Sequence, residues 1–346
     1  MKVLTVQSPI QSHYGAKTTA KEILKNMDLS GKNVIVTGGY SGVGLETTKA
    51  LANAGANVFL PVRSMQKTEQ LLKGLPSIER YPMDLMVPSS IDAFSSWFLE
   101  KNIPLHILIN NGGIMNPPLR RDSRGYESQF STNHLGHFQL TARLFPALKL
   151  SNGARVISIS SRAQRLGGVL FDDPHFEHTE YNGMRAYAQS KSANVLFAVW
   201  LDLIGQEQGV RAFAVHPGLI PTTNLGIRKF ENDPSKLKRG IARIIPAIMR
   251  ALHVTELINI SKRARKMSVA DEFKTIQQGA ATSIWCAVSS DLEGMGGVYC
   301  EDCNIAYSVP ADSNEPYGIR PWAIDPLLAE KLWRLSEELT GVAFKI

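Results

Sequence analysis

The chain has 346 residues, 44% of them hydrophobic and 20% charged, with only three cysteines. That length supports one large core or two modest ones; the cysteine count excludes a disulfide framework, and no apolar run reaches the roughly 18 residues of a membrane-spanning helix. The net charge of +7 is local: residues 228–266 hold eleven Lys or Arg against three acids, which leaves the remainder near neutral and speaks against a general nucleic-acid binder.

Residues 1–30 read as a lead-in segment without the continuous apolar stretch of a secretory signal, so a cytoplasmic protein is expected. "NVIVT" (33–37) is a first apolar strand. The glycine-rich "TGGYSGVG" (37–44) follows, and then a helical pattern, "LETTKALANAGA" (45–56). Gly38, Gly42 and Gly44 at a strand–helix junction let a pyrophosphate approach the backbone and the helix N-terminus, with Tyr40, Ser41 and Val43 completing the turn. "NVFLPV" (57–62) is a second strand, and it ends at Arg63, where an acid would favour NAD(H). A guanidinium there faces a 2′-phosphate instead, so NADP(H) is favoured and NAD(H) left open.

Further strands follow at 78–85, 105–110, 154–160 and 210–217. After a helix near 271–289 comes a seventh, "GGVYC" (296–300), and an extension over 305–346 carries a helix near 326–339. Apolar runs without alternation fit strands buried on both faces. Strands separated by helices argue for one α/β domain over residues 1–346: a doubly wound Rossmann-type parallel sheet of about seven strands with helices on both faces.

In such a sheet, ligands sit beyond the carboxyl ends of the strands. Three of those ends are polar or glycine-rich: Asn110-Asn111-Gly112-Gly113, Ser160-Ser161 and His216-Pro217-Gly218. "AYAQSK" (186–191) places Tyr187 and Lys191 at i and i+4, neighbours on one helical face that starts near the same crevice. A phenol with a pKa of about 10 shuttles protons better when a nearby ammonium and a positive nicotinamide ring stabilise its anion. No metal site is expected from His134, His137 and His216, which lack partners at ligand spacing, nor from the lone Cys300–Cys303 pair.

These residues carry a resemblance to the short-chain dehydrogenase/reductase family. The matching motifs are Thr37-Gly38-x-x-x-Gly42-x-Gly44, Asp84-Leu85, Asn110-Asn111-x-Gly113, Asn133, Ser161, Tyr187-x-x-x-Lys191 and Pro217-Gly218-x-x-x-Thr222. "STNHLGHFQLT" (131–141), "KSANVLF" (191–197) and the long gap between Ser161 and Tyr187 resemble its retinol dehydrogenase-like and WW-domain oxidoreductase-like subgroup. The resemblance implies roles. Tyr187 is the general acid/base, and Lys191 lowers its pKa and binds the nicotinamide ribose. Ser161, rather than its rival Ser160, bonds the substrate oxygen. Asn133 holds a water in a proton relay. Asp84, with Leu85, meets the adenine, and Asn111 to Gly113 pack along the adenosine ribose. Pro217, Gly218, Ile220 and Thr222 flank the nicotinamide, with Thr222 on its carboxamide. Gly112 stands where the family usually has Ala.

Residues 223–270 resemble a substrate-covering lid, long and basic here, with the apolar "IARIIPAIMRALHV" (241–254). It suits a cover over a bulky apolar substrate; peripheral contact with an anionic membrane is a second reading. The expected activity is carbonyl–alcohol interconversion on a retinoid, steroid, or polycyclic or polyketide-like ketone. A C=C reductase of the protochlorophyllide reductase type and a non-catalytic NADP(H)-sensing interaction protein stay as alternatives. Self-association is left open.

Overall fold

The computed structural model describes residues 4–223, 225, 254–264 and 272–345. Its sheet runs β1 (Asn33–Val36), β2 (Asn57–Val62), β3 (Ile78–Pro82), β4 (Ile107–Asn110), β5 (Ala154–Ile159), β6 (Val210–His216), β7 (Val298–Glu301) and β8 (Asn304–Ile305). The spatial order is β3-β2-β1-β4-β5-β6-β7-β8, parallel throughout except for β7–β8. Strand order reverses between β1 and β4, which opens the crevice where such sheets bind ligands.

Among the described residues, the α-helices of four or more residues are α1 (Ala20–Ile23), α2 (Gly42–Asn53), α3 (Met65–Leu71), α4 (Pro88–Leu99), α5 (Gly136–Leu150), α6 (Gly183–Gly205), α7 (Val254–Ala264), α8 (Ile276–Val288) and α9 (Pro326–Thr340). Alternate strand residues divide the core between two layers, as the two-residue period requires. Val34, Val36, Leu60, Phe213 and Val215 pack on one face with Leu51 of α2 and Ile284 and Trp285 of α8. Ile35, Phe59, Leu108, Val156 and Ala214 pack on the other with Phe94 and Phe98 of α4, Phe138 and Phe145 of α5 and Leu201 of α6.

The sheet has eight strands where about seven were expected, a small difference made by one hairpin. Asp302 and Cys303 take φ of 55° and 56°, the left-handed pair of a tight hairpin turn, and return the chain antiparallel to β7. Without the usual Asn-Gly signature, "YCEDCNI" carried no hairpin signal. Residues 1–30 do more than lead in: the Gln7 amide donates to Tyr299 O (2.9 Å) and Ala306 O (2.7 Å) and accepts from Tyr299 N (2.9 Å), so this segment straps the β7–β8 hairpin. Within the expected lid, the apolar stretch 241–253 lies outside the described residues, and α7 is the described helix of that region.

The C-terminal extension grips the site from behind. Gln164, just past β5, donates to Gly318 O (2.9 Å) and accepts from Arg320 N (3.3 Å). Arg162 pairs with Glu301 at 3.1 Å, and Glu301 also accepts from Gly318 N at 2.8 Å; both side chains are buried. Removing one member leaves a buried charge without its partner. Glu301→Gln is expected to lower unfolding stability by about 3 kcal/mol in urea titrations. Arg162→Met combined with Glu301→Leu is expected to recover most of that loss, because no unpaired charge remains.

Candidate active site

At the end of β1 the turn is held by sterics. Gly38 (φ +63°) and Gly42 (φ +52°) occupy left-handed backbone. A Cβ on Gly38 would lie 3.0 Å from Gly112 Cα, and one on Gly44 would collide with Gly38 O and Asn111 Nδ2. Above Gly42, a Cβ would meet nothing nearer than Thr223 at 3.7 Å, so bare backbone faces an open space there. The N-cap of α2, Ser41, makes no side-chain capping bond, which leaves the helix's first N–H groups for an anion. These features fit the pyrophosphate of a dinucleotide.

That turn is one end of a cleft of about 1210 Å³. Tyr40, Ser41, Val43, Arg63, Asp84, Leu85, Asn111, Gly112 and Gly113 line it, and so do Pro217, Gly218, Ile220, Ser161, Tyr187 and Lys191. Arg63 Nε donates to Tyr40 Oη at 3.2 Å. Asp84 accepts from Met86 N at 3.0 Å, bracing its own turn. A methyl at Gly112 would stand 3.0 Å from Leu85 Cδ1, so glycine here relieves a tight contact.

Two expected residues stand behind the wall. Thr222 is buried, and its neighbour Thr223 lines the cleft instead. Asn133 is fully buried in a π-turn (Ser131–Leu135), a widened helical turn frequent at functional sites. Its Oδ1 accepts from Ile114 N (2.8 Å), and its Nδ2 donates to Ile114 O (3.0 Å) and Ser190 Oγ (2.9 Å). These bonds use both amide N–H groups and one of the two lone pairs on Oδ1. The amide clamps the loop after β4 to α6.

Both serines line the cleft, but Ser160 is buried with its Oγ donating to Lys191 O (2.7 Å), whereas Ser161 is half-buried. Helix α6 starts under an Asn182 cap that accepts from Met184 N and Arg185 N, both at 3.0 Å. One turn on it carries Tyr187, and a further turn on Lys191. The Lys191 ammonium donates to Ile159 O (2.9 Å) and lies 5.5 Å from the centre of the Tyr187 ring.

The expectation that Lys191 lowers the Tyr187 pKa does not hold in the protein alone. Burial pushes the phenol up to about 12, against the opposing pull of a hydrogen bond with Ser161. Burial also pulls Lys191 down to about 7, so near neutrality its own charge is only partial.

The cleft holds residues that the sequence reading missed. Lys49 follows Gly42 and Glu46 at i, i+4, i+7 on the inner face of α2, a periodic signal that was there to be read. Thr132 lines the cleft with its hydroxyl unpartnered among the described residues. Met115, Leu219, Leu225 and Phe273 add an apolar wall. Phe273 lies far along the chain and arrives through a bridge to Leu219, which no local pattern announces.

Residues 32–233 match the family model described as short chain dehydrogenase. The chain belongs to the short-chain dehydrogenase family. Among its relatives, short-chain dehydrogenase TIC 32 B, chloroplastic, from Brassica napus is 35% identical over 348 residues, covering 95% of each protein. Human retinol dehydrogenase 12 is 34% identical over 326 residues, covering 92% of this chain and 90% of its own length. A crystal structure of a putative uncharacterized protein from Mycobacterium paratuberculosis superposes with a TM-score of 0.68 at 27% identity, over 95% of this chain and all of the other. This short-chain dehydrogenase is thus an oxidoreductase acting on CH–OH donors, of the retinol dehydrogenase-like subgroup, and the family implies a nicotinamide cofactor.

The buried lysine has a thermodynamic signature. The folded protein releases its proton near pH 7, while the unfolded chain keeps one until about pH 10.4. Between those values the unfolded state binds the extra proton, so stability from this residue rises with pH. Lys191→Met is therefore expected to melt above the cofactor-free parent at pH 7, with the gap closing toward pH 10 in thermal scans.

Proposed function

We propose that the chain is an NADP(H)-dependent oxidoreductase that interconverts a carbonyl and an alcohol on a bulky apolar substrate. The observation that carries this reading is one cleft with Ser161, Tyr187 and Lys191 at one end and the glycine turn with Arg63 at the other. Arg63 offers a planar fork of donors to a 2′-phosphate, and no acid follows β2 to favour a free ribose hydroxyl. Lys49 adds positive charge on the same wall, partly balanced by Glu46. Met115, Leu219, Leu225 and Phe273 suit a substrate of the retinoid, steroid or polycyclic ketone class.

When bound, the nicotinamide supplies the hydride in reduction and takes it up in oxidation. The chain's own residues handle the oxygen and the proton. Ser161 donates to the substrate oxygen and holds it toward Tyr187. With its pKa pushed to about 12, Tyr187 is a neutral phenol at physiological pH and donates its proton to that oxygen as negative charge develops there. Lys191, able to exchange protons near neutrality, replenishes the phenol. In the oxidising direction each transfer reverses, and the phenolate needs the full Lys191 charge. The apolar wall keeps water from the reacting centre.

Tyr187→Phe is expected to cut ketone reduction by at least about 100-fold, while fluorescence titration finds NADPH affinity within about threefold of the parent. Unchanged turnover would sink the assignment, and a product saturated at C=C rather than C=O would replace it with the alternative chemistry. Arg63→Ala is expected to lower the preference for NADPH over NADH by about tenfold or more, the loss of one charge-assisted contact, in steady-state KM ratios. An unchanged ratio would remove Arg63 as the basis of an NADP(H) preference.

A further inference from the structure

His137 has no place in the proposed chemistry, yet it touches both halves of the site. It is buried on the first turn of α5, with Nδ1 2.9 Å from Asn133 O and Nε2 2.8 Å from Thr37 Oγ1. A carbonyl can only accept, so Nδ1 carries the proton. Nε2 of the neutral ring is then a bare lone pair and accepts from the Thr37 hydroxyl. The Thr37 oxygen in turn accepts from Asn111 N and Gly112 N, each at 2.8 Å. The other tautomer would set a bare Nδ1 against a carbonyl and ask Thr37 to accept a third N–H. Burial, with Lys191 nearby, holds the ring neutral, its pKa down at about 4.

Gly112 N–H donates to Thr37, Thr37 O–H to His137, His137 Nδ1–H to the Asn133 carbonyl, Asn133 Nδ2 to Ser190, and Ser190 O–H to the Tyr187 carbonyl at 2.8 Å. Two runs of bonds meet at Asn133: Gly112 to Thr37 to His137 ends on its backbone carbonyl, and Ser190 to the Tyr187 carbonyl starts from its side-chain amide, so this one residue joins the cofactor wall to the catalytic helix. We infer that His137 is a positioning residue that joins the dinucleotide turn to the catalytic π-turn through an imidazole protonated on Nδ1 alone. The Thr37 bond shapes the Asn111–Gly112 wall and so governs cofactor affinity. The Asn133 bond keeps the π-turn in register with Tyr187 and so governs turnover.

This inference rests on the NADP(H) reading above, and its tests separate the two. His137→Asn keeps a donor near the Nδ1 position and loses the Thr37 contact. It is expected to weaken NADPH binding about tenfold, the worth of one buried hydrogen bond, with kcat within about threefold. His137→Gln reaches Thr37 and loses the Asn133 bond, and is expected to show the converse split. Spectra of ¹⁵N-histidine-labelled, cofactor-free parent are expected to show one ring protonated at Nδ1 and bare at Nε2 from pH 5.5 to 8. A proton on Nε2 overturns the inference, whether or not the variants fold. So do folded variants that melt lower yet keep parental affinity and kcat, or that lose both equally. A parent that binds no NADPH defeats the functional reading instead, and the spectra still decide the tautomer.

Discussion

The buried amide of Asn133 is the constraint on which the rest of the site depends. Its three bonds, at 2.8, 3.0 and 2.9 Å, tie the loop after β4 to the helix that carries Tyr187 and Lys191. A buried amide left half-satisfied is costly, so this register is not free to slip. The π-turn is what aims the amide inward, and flanking histidines anchor that turn. His134 bonds Ser336 of α9 at 2.7 Å, and burial holds its ring neutral, its pKa down at about 3. The C-terminal helix therefore braces the catalytic turn without reaching the cleft.

The second constraint is desolvation. Tyr187 and Lys191 have little exposure, and burial disfavours the charged form of each. The protein alone thus keeps a neutral phenol and a lysine near its titration point. In the proposed reaction, a bound cofactor and an oxyanion developing on the substrate bring charge into this low-dielectric pocket, where each interaction counts for more than it does in water. Such a site is prepared for charge that arrives with its ligands, and it is least stable where the lysine is charged alone.

Segments remote in sequence complete the site. The β7–β8 hairpin brings Glu301 to Arg162, directly after Ser161, and the extension closes on Gln164. The Phe273 backbone is clasped by the Asn259 amide at 2.7 and 2.8 Å, which ties α7 to the cleft wall. These contacts make the apolar half of the cleft from pieces that have no common motif, whereas the glycine turn, Arg63, Asp84 and the Asn111–Gly113 wall come from β1 through β4.

The strands, their parallel order and the glycine turn were legible in the sequence because continuous Val/Ile runs, alternating helices and left-handed glycines are local properties. Tyr187 and Lys191 were legible because four residues on a helix fix a face. The Asp302–Cys303 hairpin escaped because its turn residues carry no usual signature, and Phe273 because its place depends on a bridge across more than fifty residues. Sequence alone determined which groups are the candidates for chemistry and on which elements they stand. Only the tertiary structure decided their state: burial raised the phenol and depressed the lysine, against the expectation drawn from their spacing. It also turned Asn133 into a clamp and His137 into a link, because hydrogen-bond partners and dielectric belong to the surroundings of a residue and not to its identity.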